Sequence, residues 1–251
     1  MNILSYPKEK IINGLNNARN KNIQKGAKIL FSPVEINDEN FEEVCEIYSS
    51  VMPGNYETVV VVEGVNHELE KKIPLPSLNT FKTPFGEVPV NDRLRNEFCD
   101  EEDDFFIDDE AHNETMGIYQ QLPMLQFTIK DFNVVSIQIS NYERPSIIRE
   151  LAFVLDEVLL SKNVLIIVCC EMESDQIEAL NKLKKYVKEG QTSNLLNIIN
   201  VSSTKIRGRS PFLIGLMIAS SWELSLNFID EKYQSSEIYS LISGFASLRS
   251  K

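Results

Sequence analysis

The residues of this chain able to do chemistry gather at the ends of a few apolar runs. Val59, Val60, Val61 and Val62 form a continuous β-branched stretch, the pattern of a strand covered on both faces in an α/β sheet. The chain then passes through Glu63 and Gly64 to Asn66, His67 and Glu68. A loop in that position lies at the carboxyl edge of the sheet, where open α/β sheets bind ligands. His67, one of two histidines, would serve there as a general base or a metal ligand. The plainer reading is a hydrogen-bonded loop histidine. Glu35 follows a second apolar run, 27–31, and Glu171 follows a third, 164–169, so both carboxylates are expected at the same edge. Glu171 suits a pocket wall better than a catalytic acid. Arg207 and Arg209 stand in Arg-Gly-Arg-Ser-Pro just before an apolar helix. Free amides and the dipole at a helix start favour negative charge, so this segment either cradles an anion or is a capped start with solvated arginines.

The other reactive residues fit bland roles. The four cysteines show no CxxC spacing, and Cys169 and Cys170 end an apolar run, so buried thiols are expected rather than disulfides, a zinc knuckle or a redox pair. Residues 100–110 are mostly Asp and Glu around Phe105, Phe106 and Ile107. They lack the spacing and turn glycine of a calcium loop and read as a solvated acidic loop. Walker loop, dinucleotide fingerprint, HExxH and nucleophile elbow are all missing.

The elements that must position these residues follow the α/β pattern. Residues 8–25 carry apolar positions at helical spacing, 27–31 read as a strand, and Phe41, Val44, Cys45, Ile47 and Tyr48 mark an amphipathic helix leading back to the strand at 58. Strand, helix, strand is a βαβ unit with parallel strands, which brings the loops at Glu35 and His67 to one edge. Residues 83–90 look like a turn leading into a short extended segment, and 92–98 like a helix capped by Asn91. Residues 115–126 are expected to be helical up to Pro123, 133–139 a strand, 147–160 a helix and 164–169 a strand left by a loop at 170–174. Further on, 175–188, 191–199 and 211–221 read as helices, and 224–229 and 243–248 as late strands. A chain of 251 residues with no shift in composition suits a single α/β domain, 1–251. Its net charge of −12 disfavours a nucleic-acid or anionic-membrane surface. With no apolar run long enough to span a bilayer and no hydrophobic signal core, a cytoplasmic protein is expected.

Four separated stretches resemble one family. Residues 83–92 (TPFGEVPVND) look like the Thr-Pro-Leu-Gly-Glu-Val-Pro-Val-Asp segment of Memo-like proteins, also called AmmeMemoRadiSam system protein B. Residues 119–126 (YQQLPMLQ) are similar to the family's Glu-Val-Gln-Leu-Pro-Phe-Leu-Gln, Gly64 to His67 to its Gly-Pro-Ser-His, and Tyr6-Pro7 and Gly244 to Ala246 to its opening and ending. The resemblance implies the fold of class III extradiol dioxygenases: one domain with a mixed, mostly parallel central sheet flanked by helices and a pocket at the strand ends. In the family that pocket gathers His, Asp and Cys, a set suited to a divalent transition metal.

This chain departs from that set. Aligned on Pro33, the family's first histidine becomes Val34. His67 is kept, Met116 replaces a histidine before Gln-Leu-Pro, Glu171 keeps a carboxylate while Ser174 replaces a histidine, and Arg207 replaces the cysteine. A gapped alignment would instead move His112 onto the histidine lost at Met116. A guanidinium has no lone pair for an ion and is always charged. The resemblance therefore implies a divergent member with no cofactor, in which an Arg207–Glu171 pair would hold the pocket in the ion's stead. The expected site comprises Val34, Glu35, Asn66, His67, Glu68, Met116, Glu171, Ser174, Arg207 and Arg209. The expected function is non-catalytic binding of a small anionic ligand or a protein partner. The alternative is a metal-dependent, dioxygenase-like oxidoreductase rebuilt around His67 and Glu171.

Overall fold

The four valines form the strand that their β-branched side chains favour. In the computed structural model β2 runs Thr58–Val65, and Val59, Val60, Val61 and Val62 are fully buried. Each buried valine contributes roughly 1.5–3 kcal/mol of apolar transfer. The structure describes residues 1–21, 26–69, 72–101, 103–109, 112, 117–173, 177–189, 191, 194, 206–228, 239–240 and 243–248. The helix expected at 191–199 lies outside these residues apart from 191 and 194.

β2 sits between β7 (Asn133–Ser140) and β8 (Val164–Cys169), and β8 pairs with β1 (Ala27–Ser32); these four strands are parallel. β13 (Gly244–Ser247) runs antiparallel to β1, and β11 (Ser225–Phe228) antiparallel to β13. The result is an α/β fold with a mixed, mostly parallel sheet in the order β11-β13-β1-β8-β2-β7. β1 and β2 are parallel, as expected of their βαβ unit, with β8 inserted between them.

Alternate side chains point to opposite faces, so the sheet carries two apolar layers. Leu30, Val59, Val61, Val134 and Ile167 meet α1 (Lys8–Lys21), α2 (Phe41–Ser49) and α4 (Gly117–Thr128). Phe31, Val60, Val62, Ile137 and Val168 meet α3 (Asp92–Glu101), α5 (Pro145–Leu159) and α7 (Arg209–Ser221). A further helix, α6 (Ile177–Lys188), contacts β11. Among the described residues no helix is long and apolar enough to cross a membrane.

Several local expectations need correction. α4 continues through Pro123 to Thr128. Proline cannot donate to the carbonyl four residues back, but Ile118, Leu122, Met124 and Leu125 are fully buried and hold the helix together. The acidic stretch contains β6 (Phe105–Ile107), paired in parallel with β3 (Ile73–Leu75), because Phe105 is buried while its acidic neighbours face outward. The turn expected at 83–90 is there and leads into the short extended β5 (Gly86–Pro89), which pairs with β4 (Thr80–Thr83) as a hairpin. The loop after β8 is partly a strand, β9 (Glu171–Glu173), between β10 (Ile206–Arg207) and β12 (Tyr239–Ser240) in a small antiparallel sheet.

The cap of α3 is where the reading placed it. Asn91 Oδ1 accepts from the Leu94 amide at 3.0 Å, and Asn91 Nδ2 donates to Thr58 Oγ1 at 2.7 Å. Asn91→Ala is expected to cost about 1 kcal/mol of stability, the usual loss of a helix cap, read from the urea midpoint.

Candidate functional site

The carboxyl ends of β1, β2, β7 and β8 open on one edge, and the chain fastens the loops there by a polar network under α4. Gln121 is fully buried. Its Oε1 accepts from Ser32 Oγ at 2.7 Å and from Tyr48 OH at 2.8 Å, and its Nε2 donates to the Pro33 carbonyl at 2.8 Å. This one amide fixes the turn leading to Val34 and Glu35.

Three of the expected site residues meet. Arg207 Nη1 lies 3.4 Å from Glu171 Oε2, and the Glu35 amide donates to Glu171 Oε1 at 3.4 Å. The Glu171 side chain is 5% exposed and that of Arg207 34%. Antiparallel pairing of β9 with β10 sets Arg207 opposite Glu171 in register. Burial raises the Glu171 carboxyl above its ordinary range, opposed by Arg207 and by the Glu35 and Val34 amides. The strand entering α7 is itself pinned. Gly208 has φ 74°, and a Cβ there would stand 2.0 Å from the Cys169 carbonyl oxygen, so only glycine brings Arg207 this close to the end of β8.

Other expected residues lie further apart. Val34 is buried in the apolar layer beneath α4, Asn66 accepts from Asn141 Nδ2 at 2.8 Å, and Asn66, His67 and Glu68 are exposed. Arg209 is half-buried at the start of α7, where Ser210 Oγ donates to the Ser140 carbonyl at 2.8 Å. Met116 and Ser174 lie outside the described residues. His112 holds the Asp108 carbonyl at 3.2 Å through Nδ1, beside Asp109, and burial pulls its imidazole down to about 4. Cys169 and Cys170 are fully buried in opposite apolar layers, and burial pushes both thiols up. Adjacent thiols on opposite faces cannot act as a redox pair.

Sequence reading overlooked Glu63. It sits at the end of β2 on the α4 side, 6% exposed. Its Oε1 accepts from the Gly117 amide at 2.5 Å, and its Oε2 is buried with no hydrogen-bond partner among the described residues. Burial raises this carboxyl to about 7, against the Gly117 and Ile118 amides and the charge of Arg207. Between the ordinary glutamate value and about 7 the folded chain thus holds a proton that the unfolded chain has lost, so stability falls as pH rises through that window and then levels. Glu63→Gln is expected to flatten this slope, worth on the order of 3 kcal/mol, in urea denaturation repeated across the window. An unchanged slope would place the titration elsewhere.

Two clefts, of about 810 and 870 Å³, open at the amino edge instead. The first is lined by Glu57, Asn91, Arg93, Glu97 and Lys162, the second by Lys8, Pro84, Phe85, Phe127 and Phe132. Neither contains a residue of the Arg207–Glu171 cluster.

The Memo-like protein family matches residues 27–241. A MEMO1 family protein of Thermotoga neapolitana is 33% identical over 134 residues, 50% of this chain and 46% of that protein. One from Thermotoga petrophila is 31% identical over 140 residues, 53% of this chain and 48% of that protein. The chain spans about half the length of the curated relatives it matches. The crystal structure of the uncharacterized protein JW3007 from Escherichia coli K12 superposes with a TM-score of 0.54 at 11% identity, covering 87% of this chain and 98% of that one, a likeness of fold alone.

Proposed function

This chain belongs to the Memo-like protein family, and from that premise we propose that it acts by binding at the carboxyl edge rather than by catalysis there. The carrying observation is the pairing of Arg207 with the buried Glu171 carboxylate at 3.4 Å. Among the positions that the resemblance aligns with the family's ion ligands, Val34 has no donor atom and Arg207 brings a permanent cation with no lone pair. His67 is exposed, and among the described residues no three of His, Cys, Asp and Glu gather as an ion would require. This donor set does not fit a transition metal, and no step is derived through one. The guanidinium supplies the positive charge in its place.

The ligand of this reading is an acidic group, carried by a small molecule or a partner protein, approaching Arg207, Arg209 and the start of α7. The setting is the cytoplasm, whose reducing conditions suit four free thiols. The test is metal content after purification without affinity-tag metal, before and after anaerobic loading with ferrous iron. Background metal in both preparations is expected. Near-stoichiometric iron that disappears in His67→Ala would overturn this reading in favour of an oxidoreductase built around His67 and Glu171.

A further inference from the structure

Glu63 lies opposite Gln138 in the parallel register of β2 and β7, and both point to the α4 side of the sheet. They are 6% and 2% exposed. Among the described residues neither Glu63 Oε2 nor Gln138 Oε1, both buried, has a hydrogen-bond partner, nor has the hydroxyl of Ser136, two residues before Gln138 on the same face. Buried acceptors without a donor are rare, and each calls for an explanation. The charges point the same way. Arg207 is the cation acting on both Glu63 and Glu171, and Glu35 adds a further negative charge at Glu171. With the carboxyls ionised, this group carries an excess of negative charge. Either a proton or a ligand cation balances it.

We propose that Glu63 and Gln138 form the floor of a subsite for an ammonium group, beneath the start of α4. The inference deepens the binding reading of this edge, on which it rests, by adding a cation-accepting pole beside the arginines. A primary ammonium offers three donors, enough for Glu63 Oε2, Gln138 Oε1 and the Ser136 hydroxyl, and its charge offsets that of an ionised Glu63. In the free protein a proton on Glu63 does the same. Ligand and proton therefore compete. The titratable and charged groups around Glu63 are Arg207 from β10, Cys169 from β8 and, beyond Arg207, Glu171 from β9 with Glu35 from the loop after β1; β7 and α4 present Gln138, Ser136 and backbone amides. Cys169 stays protonated throughout, its thiol pushed well up by burial.

The experiment is calorimetric titration of the intact chain with methylammonium chloride against a sodium chloride blank. Since Glu63 titrates at about 7, binding is expected to be roughly tenfold weaker at one unit below that value than at one unit above it. It should be lost in Glu63→Gln, which keeps the side chain's shape and offers its own amide to Gln138. Gln138→Leu serves as the second variant, with weaker binding expected. No binding to the native chain above the titration, or equal binding in Glu63→Gln, overturns the proposal. Inorganic phosphate in the same assay reports the arginine face separately. Phosphate bound without methylammonium sinks the ammonium subsite alone, whereas stoichiometric iron in the metal assay sinks the binding reading and the subsite with it.

Discussion

Gln121→Leu is expected to lower the free energy of unfolding by about 4 kcal/mol, the largest loss of any single polar change at this edge. The substitution strands two hydroxyls, Ser32 and Tyr48, and the Pro33 carbonyl, all of them gathered on one fully buried amide. Each buried polar group left without a partner costs roughly 1–3 kcal/mol, and a shared network does not divide evenly among its members. Against a typical total of about 5–15 kcal/mol, such a loss is a large fraction of the fold's stability. Urea denaturation followed by the fluorescence of Trp222, the one tryptophan, measures it. The comparison is Gln126→Leu, which gives up a 2.7 Å bond from Thr83 Oγ1 at a half-buried position and should cost less than about 1 kcal/mol. Equal losses in the two variants would mean that Ser32, Tyr48 and Pro33 find new partners and that the network does not hold the loop.

Arg207→Ala should cost about 2 kcal/mol near neutral pH. Breaking a fully buried pair costs roughly 3–5 kcal/mol, and the figure is reduced here because the guanidinium is one-third exposed and the contact is long, 3.4 Å. The pH dependence separates this cause from simple loss of packing. Burial already raises the Glu171 carboxyl, and removing Arg207 raises it further. For a group whose folded value lies above its unfolded one, stability falls as pH rises from the unfolded value through the folded one. The deficit of the variant is therefore full above that window and shrinks as the solution is acidified into the ordinary carboxylate range, where Glu171 is protonated whether folded or not. A deficit that stayed constant with pH would assign the loss to packing of the arginine's stem. Arg207→Lys should recover part of the stability as a point charge on a different stem.

Elements built on long apolar patterns were readable from the sequence, and those built on contacts between distant residues were not. The valines of β2, the apolar runs of β8 and α7 and the one-sided face of α5 each carry their signal within a short window. β6 was hidden because one buried phenylalanine among acids has no period to detect. β9 was hidden because its partners come from β10 and β12, far along the chain. At the edge, the pairing of Arg207 with Glu171 was anticipated from a resemblance, since it needs only two aligned positions. Glu63 was missed for the opposite reason. It closes a run of valines and looks like the start of a loop, whereas strand pairing with Gln138 keeps it inside the sheet. The Gln121 network spans 89 residues from Ser32, and no local signal announces a bond of that reach.

The insertion of β8 between β1 and β2 also dictates when the protein can take shape. In the sheet β1 and β2 are joined through β8, and the Cys170 amide donates to the Ser32 carbonyl at 2.8 Å. A chain emerging from the ribosome can pair β2 with β7 once residue 140 has been made, yet it holds β1 apart until residue 169 arrives. During that interval the valine-rich edge of β2 stands open, a long apolar edge of the kind that templates pairing with another chain. Contacts this far apart in sequence also place folding toward the slow end, roughly milliseconds to seconds. The nascent chain thus passes through a stage more prone to aggregation than the finished sheet, in which β7 and β8 cover both edges of β2.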